Sequence, residues 1–123
     1  MVHAIGLDIV EVERIRKDIA QYGDKFINRI LSEKELESYD KRFDKDLFLA
    51  GRFAAKEAII KALGKFLTDR PPYTDLQVLN DNTGQPYFKL TDEILQKLKK
   101  TVILLSISHE KNYAAAMVVI SED

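Results

Sequence analysis

The chain has 123 residues, 46% of them hydrophobic, which predicts one domain over residues 1–123 with a core of its own. Its 19 basic and 20 acidic residues nearly cancel, and this balance disfavours binding to nucleic acid or to an anionic membrane through a general positive field. The absence of cysteine excludes disulfides, zinc–thiolate sites and thiol catalysis, and the absence of a signal-like or membrane-spanning apolar run predicts a soluble cytoplasmic protein.

The first predicted element is a strand over residues 2–9 that carries a single acid, Asp8. Alternation places Asp8 on the same face as Gly6, where a glycine leaves room for a backbone or a ligand. Asp8 therefore has two interpretations: it caps the following helix, or it is a functional carboxylate beside that clearing. The opposite face of the strand carries His3, Ile5, Leu7 and Ile9.

Three short helices are predicted next. Apolar residues at helical spacing over residues 12–22 indicate the first, which Gly23 ends. Asp24 opens the second, and the sequence of residues 32–35, Ser-Glu-Lys-Glu, matches the capping box of a third.

A long central helix is predicted to begin near Asp44 or Asp46 and to end within residues 64–66. Its small residues form one stripe and its large apolar residues cover most of the other side. Glu57 and Lys61 lie four residues apart between those two sides, where a carboxylate and an ammonium group are costly to desolvate without partners. An ordinary helical ion pair between them is the alternative.

Beyond the central helix, the sequence Pro71-Pro72 enforces a loop. Residues 76–79 and 87–90 are predicted to form a hairpin, because turn-forming residues fill the segment between them. Residues 92–99 are predicted to form one more short helix.

The last two predicted strands, residues 102–107 and 113–120, are apolar on both faces. Antiparallel sheets commonly leave one face polar, so either another copy of the protein covers the second face or the helices of one chain suffice. The predicted fold class is α+β: a single domain with an antiparallel sheet packed against a long central helix and several short helices.

Asp8 and Glu57, with Lys61 one turn beyond Glu57, suit a magnesium-dependent phosphate-transfer site. Mg²⁺ is typically held by one or two carboxylates together with phosphate oxygens of a substrate. Zinc is disfavoured, because the two histidines lie at opposite ends of the chain and there is no thiol. Neither standard glycine loop for nucleotides is present.

Four motifs in order resemble those of the 4′-phosphopantetheinyl transferases. They are Gly6-Leu7-Asp8 with Arg14 downstream, the sequence Phe-Ala-Ala-Lys-Glu-Ala-Ile-Ile-Lys at residues 53–61, Gly84-Gln85-Pro86, and Ser106-Ile107-Ser108-His109. The resemblance covers residues 5–120 and is to the small, trimeric bacterial type of that family. Larger members carry a second acid two residues after the first, where this chain has Val10.

The resemblance implies transfer of the 4′-phosphopantetheine arm of coenzyme A (CoA) to a serine of an apo acyl carrier protein, with release of adenosine 3′,5′-bisphosphate. Asp8 and Glu57 would hold Mg²⁺ against the pyrophosphate, and Lys61 would stabilise the charge that builds there. The base that takes the serine proton is either Glu57 or a water on the metal.

Arg52 and His109 are the candidates for contact with the 3′-phosphate of CoA, because a guanidinium forks onto phosphate oxygens and a histidine adds a donor. Lys61 and Gly64 complete the expected CoA contacts. The resemblance also implies a homotrimer with active sites between protomers, so these contacts can come from different subunits.

The first helices are the surface on which the resemblance places the acidic carrier protein. Between residues 14 and 34, six basic residues stand against three acids, so this region is locally positive. Arg14 and Arg29, with Phe26 as an apolar anchor, are the predicted carrier contacts, and an ordinary solvated helix face is the alternative.

Two other functions compete with the transferase. One is a small magnesium-dependent phosphohydrolase that uses the same two acids with water as the nucleophile. The other is a non-catalytic oligomeric binding module, with Asp8 as a helix cap and Glu57 and Lys61 as a structural pair.

Overall fold

A computed structural model describes all 123 residues, and every predicted helix and strand is present, with differences only at the ends. The elements in chain order are β1 (Val2–Glu11), α1 (Val12–Tyr22), α2 (Asp24–Ile30), α3 (Glu33–Lys41), α4 (Lys45–Leu63), a 3₁₀ turn (Tyr73–Asp75), β2 (Leu76–Asn80), β3 (Pro86–Leu90), α5 (Asp92–Lys97), β4 (Thr101–His109) and β5 (Tyr113–Glu122).

The strands form a three-stranded antiparallel sheet of order β1-β5-β4 and a separate β2-β3 hairpin. α4 packs across the inner face of the larger sheet, whose central strand buries Ala114, Ala116, Val118 and Ile120. The predicted packing of an antiparallel sheet on the long central helix is confirmed. α4 is the longest helix, with 19 residues, and no helix combines the length and apolarity needed to cross a bilayer.

β1 approaches α4 so closely that only a glycine fits at position 6. A Cβ atom added to Gly6 would lie 1.9 Å from the carbonyl oxygen of Ala58 and 3.2 Å from the amide nitrogen of Ala62, both in the backbone of α4. The clearing predicted beside Asp8 is therefore filled by the helix backbone. Gly6 thus brings the next residue on its face, Asp8, against α4.

Replacement of Gly6 by alanine is expected to lower the free energy of unfolding by about 3 kcal/mol or more, because overpacking costs roughly 1–3 kcal/mol even where side chains can yield. Gly64→Ala is the matched control: Gly64 has helical dihedral angles, and an added Cβ would lie 3.4 Å from the Lys61 carbonyl oxygen. Urea denaturation measures both variants. Equal midpoints for Gly6→Ala and the unsubstituted protein would contradict this close packing.

The outer face of the sheet is apolar and exposed in one chain. Ile5, Leu7 and Ile9 of β1 are 69%, 63% and 67% exposed, and Leu104 and Met117 on the neighbouring strands are 56% and 50% exposed. The alternation predicted for the first strand is confirmed. The helices of one chain cover only one face, so the alternative in which they suffice is wrong.

A fully buried ion pair fastens α4 to the short helices. Lys56 Nζ donates to Glu35 Oε1 at 2.6 Å, to the Ile30 carbonyl oxygen at 2.6 Å and to the Tyr73 carbonyl oxygen at 3.0 Å. Both charged side chains are 0% exposed. Burial lowers the pKa of the Lys56 ammonium group, and the charge of Glu35 offsets part of that effect.

The same Glu35 carboxylate completes the predicted capping box at the start of α3. The Ser32 amide donates to Oε1 at 3.1 Å, and the Ser32 hydroxyl accepts from the Glu35 amide at 3.3 Å. The second oxygen, Oε2, accepts from the Val78 amide at 3.0 Å. One carboxylate therefore joins α3, α4 and β2.

Candidate active site

Asp8 lies within β1 and faces α4, and a hydrogen bond from Lys61 joins the Asp8 carboxylate to that helix. Lys61 Nζ donates to the Leu7 carbonyl oxygen at 2.8 Å and to Asp8 Oδ1 at 3.2 Å. α1 begins at Val12, its N-cap is Glu11, and no side chain caps it. The capping interpretation of Asp8 is therefore wrong.

Glu57 lies one turn before Lys61 on α4 but binds different partners. The Tyr73 hydroxyl donates to Glu57 Oε1 at 2.6 Å, and Arg70 Nη2 lies 3.2 and 3.3 Å from Oε1 and Oε2. Lys61 instead binds Asp8, so the alternative of a Glu57–Lys61 ion pair is wrong. The Glu57 side chain is partnered and 23% exposed, whereas that of Lys61 is 55% exposed, and the fully buried charge of α4 is Lys56.

Tyr73 and Arg70 are site residues that the sequence did not predict. Tyr73 opens the 3₁₀ turn after Pro71-Pro72, and its ring packs 5.6 Å from that of Phe53, measured between centroids. Burial, and then the hydrogen bond to Glu57, raises the pKa of the Tyr73 hydroxyl. The hydroxyl is therefore a stable donor at neutral pH.

Asp8 faces α4 and Glu57 lies on it, and both side chains are carboxylates, the ligand type that Mg²⁺ prefers. No group of three or more histidine, cysteine, aspartate or glutamate residues gathers anywhere in the structure. Two carboxylates without a third ligand fit Mg²⁺, which completes its shell with waters and substrate phosphates. They do not fit zinc, which prefers nitrogen and sulfur ligands.

Arg52 presents a guanidinium group that is only partly satisfied. Its Nη2 donates to Asn80 Oδ1 at 2.7 Å, and its Cζ lies 4.3 Å from the centroid of the Phe48 ring. Its Nε is buried and has no hydrogen-bond partner. Burial lowers the pKa of Arg52 to about 10, which leaves it charged at neutral pH. A buried donor without a partner marks a place for an acceptor such as a phosphate oxygen.

His109 and Gly64 lie at the ends of two elements. His109 ends β4 and is exposed; its backbone pairs with Ala114 of β5, and its side chain makes no hydrogen bond or ion pair. Gly64 caps α4 beside Lys61 and is exposed. The structure therefore brings together Asp8 and Lys61 directly but leaves the expected CoA contacts distributed along α4 and at a sheet end.

A groove of about 500 Å³ opens beside Glu57, between the first helices and α4. Its lining includes all three predicted carrier contacts together with residues around the carboxylate: Arg14, Phe26, Arg29, Phe53, Glu57 and Tyr73. The Arg14 guanidinium lies 5.7 Å from the centroid of the Phe53 ring. A partner bound to the first helices would therefore lie against Glu57.

Comparison with known proteins identifies the family. A family model described as the 4′-phosphopantetheinyl transferase superfamily matches residues 4–118. The chain belongs to this superfamily. The family resemblance read from the motifs of the sequence is confirmed.

Individual relatives in the superfamily match over nearly the whole chain. The holo-[acyl-carrier-protein] synthase of Protochlamydia amoebophila is 41% identical over 119 residues, 97% of this chain and 98% of the relative. That of Fusobacterium nucleatum is 44% identical over 124 residues, with 98% and 99% covered.

A crystal structure of the Bacillus anthracis holo-(acyl-carrier-protein) synthase in complex with CoA (3′,5′-ADP) has a TM-score of 0.82 against this chain. It is 38% identical, and the match covers 100% of this chain and 99% of that one. The predicted α+β fold class is confirmed.

Proposed function

We propose that this protein transfers the 4′-phosphopantetheine group of CoA to a serine of an apo acyl carrier protein, giving the holo carrier and adenosine 3′,5′-bisphosphate. Full-length similarity to holo-[acyl-carrier-protein] synthases, one of them solved with CoA, supports this function. The structural observation that supports it most directly is the Lys61–Asp8 contact one turn from Glu57 on α4, with the groove opening at Glu57.

In the transfer step, the serine oxygen bonds to the phosphorus nearest the pantetheine, and the bond from that phosphorus to the bridging pyrophosphate oxygen breaks. The serine proton passes to a base, for which Glu57 is the candidate in this chain. Lys61 stabilises the negative charge that develops on the departing phosphate. Mg²⁺, held by Asp8 and Glu57, would neutralise charge on the pyrophosphate.

The buried, unpartnered Nε of Arg52 supports its assignment to the 3′-phosphate of CoA. His109 and Gly64 are proposed as further CoA contacts. The exposed apolar face of the sheet supports self-association, because packing against other copies would remove that face from water, and the family resemblance implies that the assembly is a homotrimer. We further propose that the enzyme is cytoplasmic and serves fatty acid biosynthesis.

Incubation with CoA, Mg²⁺ and an apo acyl carrier protein, followed by intact-mass measurement, tests the transfer directly. The expected result is a mass gain of one phosphopantetheine group on the carrier and release of adenosine 3′,5′-bisphosphate. Hydrolysis of phosphoesters without a carrier would support the phosphohydrolase instead. No turnover of either kind would support the binding module.

Charge reversal of Arg14 is expected to weaken carrier use without affecting CoA, because Arg14 lines the groove on α1 and is not one of the residues proposed to bind CoA. Arg14→Glu should raise the KM for the carrier roughly five- to tenfold, the cost of losing one important interface residue. Lys17→Glu is the matched control, since Lys17 is an exposed α1 residue outside the groove. An equal rise in the KM values for carrier and CoA would contradict the docking assignment.

A further inference from the structure

Arg70 and Tyr73 lie in the segment that follows α4, and both bind the carboxylate of Glu57. The Tyr73 hydroxyl donates to Oε1 at 2.6 Å, and Arg70 Nη2 reaches both carboxylate oxygens. Arg70 Nη2 also donates to the Tyr73 hydroxyl at 2.8 Å. Both oxygens that a metal ion would use are therefore already engaged.

The two partners of Glu57 differ in how firmly they are held. Tyr73 is anchored at both ends, because its carbonyl oxygen accepts from the buried Lys56 ammonium group and its ring packs on Phe53. The Arg70 side chain is 57% exposed and lies over the Tyr73 ring, with its Cζ 5.5 Å from the ring centroid. Tyr73 is a fixed group, whereas the Arg70 guanidinium can move into solvent without opening the core.

We propose that Arg70 is a removable counter-ion of Glu57 in the free protein, that a divalent cation displaces it, and that Tyr73 is the positioning residue that keeps Oε1 in place throughout. This inference rests on the proposed function, in which Glu57 holds Mg²⁺. A guanidinium and a metal ion compete for the same carboxylate lone pairs, and their positive charges repel each other. Arg70 therefore lowers the affinity for the metal, and Tyr73 raises it.

Two variants separate these roles, because they should move metal affinity in opposite directions. The probe is Mn²⁺, whose free-ion electron paramagnetic resonance signal is titrated with CoA present and no carrier. Arg70→Gln should bind Mn²⁺ about two- to fivefold more tightly, the range expected from removing one exposed competing ion pair. Tyr73→Phe keeps the ring packing but loses the hydroxyl, and it should bind Mn²⁺ about tenfold more weakly.

The controls distinguish the loss of the direct Arg70–Glu57 contact from a general loss of positive charge near Glu57. Arg14→Gln removes one positive charge from the groove that Glu57 also lines, without breaking a hydrogen bond to Glu57, so it should change Mn²⁺ affinity less than Arg70→Gln. Arg70→Lys retains the charge and should stay near the unsubstituted protein. Equal effects of Arg70→Gln and Arg14→Gln, or weaker binding by Arg70→Gln, would overturn the proposal. So would an absence of Mn²⁺ binding by the unsubstituted protein.

The carrier assay keeps this proposal separate from the proposed function. Opposite shifts of Mn²⁺ affinity in a protein that transfers no phosphopantetheine would support the roles of Arg70 and Tyr73 and overturn the transferase. Transfer by the unsubstituted protein, with Mn²⁺ affinity unchanged in both variants, would overturn these roles alone. Thermal unfolding of each variant confirms that a changed affinity does not come from a lost fold.

Discussion

Replacement of Glu57 by glutamine is expected to abolish transfer while the protein stays folded. Glutamine has nearly the same size, and its side-chain oxygen can still accept from the Tyr73 hydroxyl, so the packing of α4 is retained. The substitution removes a negative charge that the proposed reaction uses for metal binding or as a base. Loss of either role should lower kcat/KM by about 10²–10⁴-fold, measured with CoA, Mg²⁺ and an apo carrier.

Glu37→Gln is the matched control for Glu57→Gln. Glu37 is an exposed residue of α3 that makes no side-chain hydrogen bond, so the same chemical change there should leave transfer intact. The oligomeric state and thermal midpoint of both variants should match those of the unsubstituted protein. Unfolding of Glu57→Gln would favour a structural role for Glu57, and full activity would rule out its place in the reaction.

The strands and helices could be predicted because their signals are local. Alternation in the first strand predicted which side chains share a face, and the structure exposes Ile5, Leu7 and Ile9 together as expected. The capping box at Ser32 fixed the start of α3, because its hydrogen bonds join residues only three positions apart. Gly6 was recognised as a point of close approach, although the sequence did not identify the helix that approaches it.

The fully buried charge of α4 was assigned to the wrong residues, although the sequence contains a signal for the right one. Lys56 lies seven residues after Leu49 and seven before Leu63, and Phe53 lies one turn earlier on the same apolar stripe. A lysine buried at that position needs an ion-pair partner. The carboxylate is Glu35, whose place in the capping box gave no indication of a second partner.

Arg70 and Tyr73 could not be predicted because no local rule connects a loop residue to a helix face. Their contacts with Glu57 span 13 and 16 positions and depend on the path of the chain after Pro71-Pro72. The pairing of Lys61 with Asp8, 53 positions apart, is equally non-local. The pairing of the acid near the start of the chain with the acid in its middle was inferred from the chemistry of magnesium ligands and from the family resemblance, because no local spacing rule links the two positions.

Replacement of Lys56 by methionine is expected to lower the free energy of unfolding by about 3–5 kcal/mol, because it leaves the Glu35 carboxylate buried without its cation.

Two further variants are the controls. The double variant Lys56→Met/Glu35→Gln should recover part of that loss, since it removes the unpaired charge. Lys34→Met, on the exposed side of α3, should have little effect. Urea denaturation at one protein concentration measures all three, because any self-association adds to apparent stability. If the double variant is no more stable than Lys56→Met alone, the loss comes from the backbone carbonyls of Ile30 and Tyr73 that Lys56 binds and not from the charge of Glu35.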